Sequence, residues 1–192
     1  FSSDLLYLKA LLKYNYYSAR RFCCASLMKI GNKAAFRLVV KNIEKLIDIY
    51  QFSDKWSEFA KKSNGLKYLT PRELSIFKKQ LIKCIQSDSE NAQLNTITIL
   101  FYVFRSDFFK IVTKYFKILL PKVQESIMDD LPWLESCNAS IAAPLSKLFK
   151  KPEISLKAKR GIIKILRNLR DSETSEFFNE LIRHNDWLIK LY

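Results

Sequence analysis

Apolar residues recur along this chain mainly with the 3.6-residue period of an amphipathic helix. The densest stretch is residues 97–120, ITILFYVFRSDFFKIVTKYFKILL, interrupted only by Arg105-Ser106-Asp107. Ser106 suits a helix N-cap and Asp107 the first turn, so the pattern predicts two helices meeting at Ser106. Downstream, Phe108, Phe109, Ile111, Val112, Tyr115, Phe116, Leu119 and Leu120 keep the helical period, with Lys110, Lys114 and Lys117 opposite. Upstream, Ile97, Ile99, Leu100, Phe101, Val103 and Phe104 leave almost no polar side, which is how a helix between two neighbours reads. The β-branched and aromatic content also fits a buried strand. Helix is the stronger reading, because no second run of that kind exists to pair with it.

The flanking segments follow the same logic. Ser3 with Asp4 opens a helix carrying Leu5, Leu8, Leu11 and Leu12, and a second runs from Tyr16 to Gly31, forming a hairpin with the first. Asn32 opens a third with Phe36, Val39, Val40, Ile43, Leu46, Ile47 and Tyr50 inward. Ser53 caps a short helix with Trp56 and Phe59, which Asn64-Gly65 closes. Thr70-Pro71-Arg72-Glu73 is a capping box with proline at the first helical position, the clearest local signal in the chain. Its helix turns Leu74, Phe77, Leu81, Ile82 and Ile85 inward. Pro121 opens another, with Val123, Ile127 and Met128, which Asp129-Asp130 ends before a turn holding Trp133 and Leu134. Pro144 predicts a broken or short helix within 139–150. Ser155 caps a helix that buries Ile162, Ile163, Leu166 and Leu169, and Phe177, Phe178, Leu181 and Ile182 follow before a short helix with Trp187.

The fold class is therefore expected to be all-α, with about ten helices stepping about nineteen residues each, so that a pair occupies about forty. Ser106-Asp107-Phe108-Phe109 recurs as Ser175-Glu176-Phe177-Phe178. In its helix spacing the whole chain resembles an α-solenoid of the HEAT or armadillo type. That resemblance implies antiparallel hairpins stacked as a right-handed superhelix in a single domain, 1–192; a compact irregular bundle is the alternative. Opening on Phe1 and stopping at Tyr192 inside a helical pattern, the chain is expected to be a piece of a longer one.

Charge changes the picture most. A formal net charge of +14 points to phosphate-bearing or acidic partners. Lys33, Arg37, Lys41 and Lys45 recur at every fourth position of the third helix and form one ridge. Lys157, Arg160, Lys164 and Arg167 form a second on the helix after Ser155, with Lys147, Lys150 and Lys151 just before it. Each stripe is a candidate surface for another protein subunit or for nucleic-acid phosphates, against the plainer reading of a solvated face.

Candidate chemistry is sparse, so no catalysis, small-molecule substrate, cofactor or metal is expected. His184 is the only histidine, which excludes an HExxH site. Gly31, Gly65 and Gly161 stand too far apart to build a phosphate-cradling loop. Asp129 and Asp130 are adjacent and point apart on a helix, so they do not make a paired-carboxylate site. Cys23, Cys24, Cys84 and Cys137 lack metal-ligand spacing and read as reduced thiols of an intracellular protein, with the nucleus favoured over the cytoplasm. Arg105, Asp107, Lys110 and Lys114 break the apolar run, so no membrane span is expected. Trp56, Trp133 and Trp187 are expected as core anchors. The functional expectation is a non-catalytic helical-repeat scaffold for protein–protein interaction within a larger complex; the alternative is a nucleic-acid-binding module.

Overall fold

Side-chain caps set where several helices start. The computed structural model describes residues 2–129, 141–169 and 172–182. Asn32 Oδ1 accepts the Ala35 N–H at 2.9 Å, opening α3 (Lys33–Lys41). At α6 (Pro71–Ile85) both halves of the capping box are made: Thr70 Oγ1 accepts the Glu73 N–H at 3.2 Å, and Glu73 Oε2 accepts the Thr70 N–H at 2.8 Å. Ser89 caps α7 (Glu90–Val103) and Ser155 caps α11 (Leu156–Leu169) through the Ala92 and Ala158 N–H groups. At the other end of α2 (Tyr17–Ile30), Gly31 adopts φ 68° and its N–H bonds the Leu27 carbonyl, the left-handed stop that glycine adopts most readily.

Every regular element among the described residues is helical. Besides those named, they are α1 (Ser2–Leu11), α4 (Ile43–Leu46), α5 (Phe52–Lys62), α8 (Arg105–Tyr115), α9 (Pro121–Asp129), α10 (Ala142–Phe149) and α12 (Ser172–Ile182), with 3-10 turns at Gly65–Tyr68 and Phe116–Ile118. The chain divides into two compact units, residues 1–105 and 106–192. In the first, α1 packs on α2, α2 on α3 and α4, α4 on α6, and both α5 and α6 on α7. In the second, α9 packs on α11, and α10 on α11 and α12.

The first core is built on rings. Phe36 lies 5.1 Å from Trp56 and 5.4 Å from Phe59, and Trp56 lies 5.6 Å from Phe77, centroid to centroid. A Cβ on Gly65 would stand 2.2 Å from the Phe36 ring, so only glycine lets the 3-10 turn pass over that cluster. The expectation for 97–103 holds: α7 buries Ile97, Ile99, Leu100 and Phe101 together with the polar Gln93, Asn95 and Thr96. In the second unit Phe149 meets Phe177 edge-on at 5.1 Å, and Ala158, Ile162, Ile163, Ile165 and Leu166 are buried along α11. The paired phenylalanines noted in the sequence behave alike. Phe108 and Phe177 are buried, Phe109 and Phe178 half-buried, and each pair is T-shaped.

Several local expectations need correction. The helix break falls at Phe104, not Ser106, which lies inside α8. Ser53 also lies inside its helix, because Gln51 at φ 54° precedes α5. The third helix is not continuous to Tyr50. Asn42 adopts φ −111°, and its side chain donates to the Leu38 carbonyl at 2.8 Å, so the helix restarts as α4. Ile43, Leu46 and Ile47 stay buried, but α4 ends at Leu46, so Tyr50 lies in the turn beyond it and is 64% exposed instead of buried. Phe22 and Ile182, apolar residues of α2 and α12, are exposed as well. Pro144 sits in the first turn of the short α10, where no helical N–H is lost. Asp130, Trp133, Leu134, Cys137, His184 and Trp187 lie outside the described residues.

Three buried amides hold the turns between helices. Asn95 Oδ1 accepts the Ser53 N–H at 3.0 Å, and its Nδ2 donates to the Ile47 and Ile49 carbonyls at 2.8 and 3.0 Å. This clamp fixes the α4–α5 turn, including the left-handed Gln51 that a non-glycine residue rarely adopts unaided. Gln93 Nε2 donates to the Ile85 and Ser87 carbonyls, and Gln124 Nε2 to those of Phe116 and Leu119. Each glutamine is the fourth residue of its helix and closes carbonyls left open at the end of the preceding one.

Candidate interaction surface

The first basic stripe is used partly within the fold. Arg37 donates to the Tyr68 carbonyl at 3.0 Å and lies 3.6 Å from Glu73, while the Lys33 ammonium sits 4.8 Å over the Tyr68 ring. The break at Asn42 moves Lys45 onto α4, where it donates to the Leu12 carbonyl just beyond α1 at 3.2 Å. Lys41 is exposed. The second stripe stays on one helix. Lys157 reaches Glu125 at 3.2 Å, Arg160 is half-buried, and Lys164 and Arg167 are exposed on α11. Lys147 on α10 and Lys150 just after it are exposed, and Lys151 is half-buried.

Between Leu5 and Ile43 the sequence holds eight lysines and arginines and no aspartate or glutamate. Nothing in the spacing of apolar residues draws attention to this span. Its significance comes from what the α1–α2 hairpin leaves outside: Leu6 is 66% exposed, Tyr7 62%, Tyr16 72% and Phe22 58%. Burial of Leu8, Leu12, Cys23 and Leu27 already satisfies the inner faces of these two helices. Residues around the hairpin turn are held together from several sides. Arg20 donates to the Lys45 carbonyl at 2.7 Å and pairs with Asp48 at 3.0 Å, and the Tyr50 N–H approaches the Tyr17 hydroxyl at 3.5 Å. Tyr14, Tyr16, Tyr17 and Tyr50 are all exposed there.

Cys23, Cys24 and Cys84 are buried and structural in their setting. Burial pushes the Cys24 thiol up to about 12 and Cys84 up to about 11, and raises Cys23 as well. A thiol kept protonated in this way is neither nucleophile nor ready metal ligand. Among the described residues no group of three His, Cys, Asp or Glu side chains is gathered that could hold a metal ion. No described helix is long and apolar enough to cross a membrane. Compared with known proteins, the chain matches no family model, no curated protein and no solved structure.

Proposed function

We propose that the chain is a non-catalytic helical-repeat scaffold that binds another protein within a larger intracellular complex, its helix pairs stacked in the manner of HEAT or armadillo units. The observation that carries the binding is the outer face of the α1–α2 hairpin, where large apolar side chains stand exposed in a span without a carboxylate. Exposed apolar and aromatic side chains of this kind suit a protein interface, where tyrosine with arginine supplies much of the energy. Repeat stacking is supported by packing in which helices meet mostly those one or two places along the chain, and by the recurrence of the Gln93 and Gln124 clamps. Buried, protonated thiols support the intracellular part.

Affinity capture from nuclease-treated native extract tests this reading. A stoichiometric protein partner is expected with the unmodified chain and should be lost with Tyr7→Glu/Phe22→Glu, two exposed sites whose change should leave the helical circular dichroism intact. Recovery of the same partner by both forms would overturn the hairpin as the binding face, and recovery of no protein partner by the unmodified chain would overturn the protein-binding reading.

A second reading, phosphate contact by nucleic acid, is favoured by exposed Lys164 and Arg167 on α11. Anisotropy with duplex and single-stranded probes at two salt concentrations separates it. Binding that falls steeply with salt and weakens uniformly in Lys164→Glu/Arg167→Glu would support it; no binding at low salt would remove it. Protein binding is preferred because cations already lie over several rings, including Tyr17, Tyr68 and Tyr115, and so cover faces that bases would stack on.

A further inference from the structure

Where α5, the turn after it and the end of α7 meet, the first unit leaves a concave site of about 270 Å³. Trp56, Ala60, Leu66 and Val103 make its walls apolar, and Tyr102, half exposed, stands at one side. Lys61 and Lys67 also line it, both exposed, and no carboxylate is among its lining residues. The backbone keeps these two lysines three residues either side of Asn64. With φ 52°, Asn64 donates its N–H to the Lys61 carbonyl and accepts the Lys67 N–H, each at 3.1 Å. Phe36 below, which admits only glycine at position 65, keeps that turn from sinking into the core.

A dry floor of this size fits one large apolar side chain, and two ammonium groups at its edge fit carboxylates next to that side chain. We infer that this site anchors an acidic peptide segment of a partner protein, taking one aromatic or branched apolar side chain onto Leu66 and Val103 while its flanking glutamates or aspartates meet Lys61 and Lys67. This inference rests on the protein-binding reading above and names the partner's chemistry at a place separate from the hairpin face.

The probe is a capped hexapeptide, Glu-Glu-Phe-Leu-Glu-Glu, titrated into the full chain and followed by amide NMR shifts and Trp fluorescence. Saturable shifts at Ala60, Leu66 and Val103 are expected, with an affinity on the order of 0.1–1 mM for so small a contact. Replacing the glutamates by glutamine, or the chain's Lys61→Glu/Lys67→Glu, should weaken binding about tenfold, since both remove the charge pairing. Val103→Trp should fill the site and abolish it; the lysine pair keeps the test valid if that variant does not fold. Shifts confined to the α1–α2 hairpin, equal binding by the glutamine peptide, or a single-stranded oligonucleotide occupying the site in the peptide's place would each overturn the inference. Loss of the captured partner on Tyr7→Glu/Phe22→Glu without peptide binding would overturn this inference alone, whereas unchanged capture by that variant bears on the hairpin reading alone.

Discussion

The two basic stripes have the same appearance in the sequence and different fates in the fold. Along α3 and α4, three of the four cations face segments that return over them: the 3-10 turn at Gly65–Tyr68 receives Lys33 and Arg37, and Leu12 just beyond α1 receives Lys45, while Lys41 stays exposed. On α11, Lys157 meets Glu125 of α9, but Lys164 and Arg167 stand exposed further along the same helix. Helical periodicity says which residues share a face. It does not say whether another part of the chain will fold over that face, because that depends on contacts distant in sequence. Arg37 and Tyr68, or Lys45 and Leu12, are brought together only after the intervening helices have packed.

The largest disruption of this contrast should come from Gly65→Ala. With no room beside Phe36, the 3-10 turn must lift or the aromatic cluster must shift, and denaturant titration should show a loss of about 3 kcal/mol. A loss below about 0.5 kcal/mol would mean that the Phe36 ring does not close this position to a Cβ. Next, Arg37→Ala should cost about 1 kcal/mol, because it removes the bond to the Tyr68 carbonyl, while Arg167→Ala should stay within about 0.5 kcal/mol. Equal costs would erase the distinction between the stripes.

Acid provides a finer probe. Bonds from the Thr70 N–H and hydroxyl hold the Glu73 carboxyl below its ordinary value, with Arg37 and Lys33 adding to the effect. A carboxylate lowered in the folded state contributes stability that is present above its unfolded pKa and lost as pH falls through the folded one. The drop in denaturant midpoint between neutral and acid pH should therefore shrink in Glu73→Gln. An unchanged drop would show that the capping box is not coupled to this titration.

Much of the helical framework could be read directly. The Thr70–Glu73 box, the Gly31 stop, the Ser155 cap and the dry α7 all rest on interactions within a few residues, so local chemistry is enough to predict them. One departure came at Asn42, whose own amide bonds the Leu38 carbonyl four residues back, and another where a distant side chain intervened. Gln51 precedes α5 in a left-handed conformation because Asn95, distant in sequence on α7, clamps the turn around it. Of the candidate surfaces, both stripes were visible as charge, but the hairpin face was not. Leu6, Tyr7 and Phe22 look like core residues until burial of Leu8, Leu12 and Cys23 shows that the inner side is already full.

Periodicity, caps and the scarcity of glycine and proline determined by themselves that the regular elements of the described residues are all helical, and placed most helix starts within a residue or two, because those forces act between near neighbours. Which cations are tied down, which apolar side chains remain outside and where the Trp56 site opens were decided only by tertiary packing, since each depends on how residues tens of positions apart divide a limited buried surface.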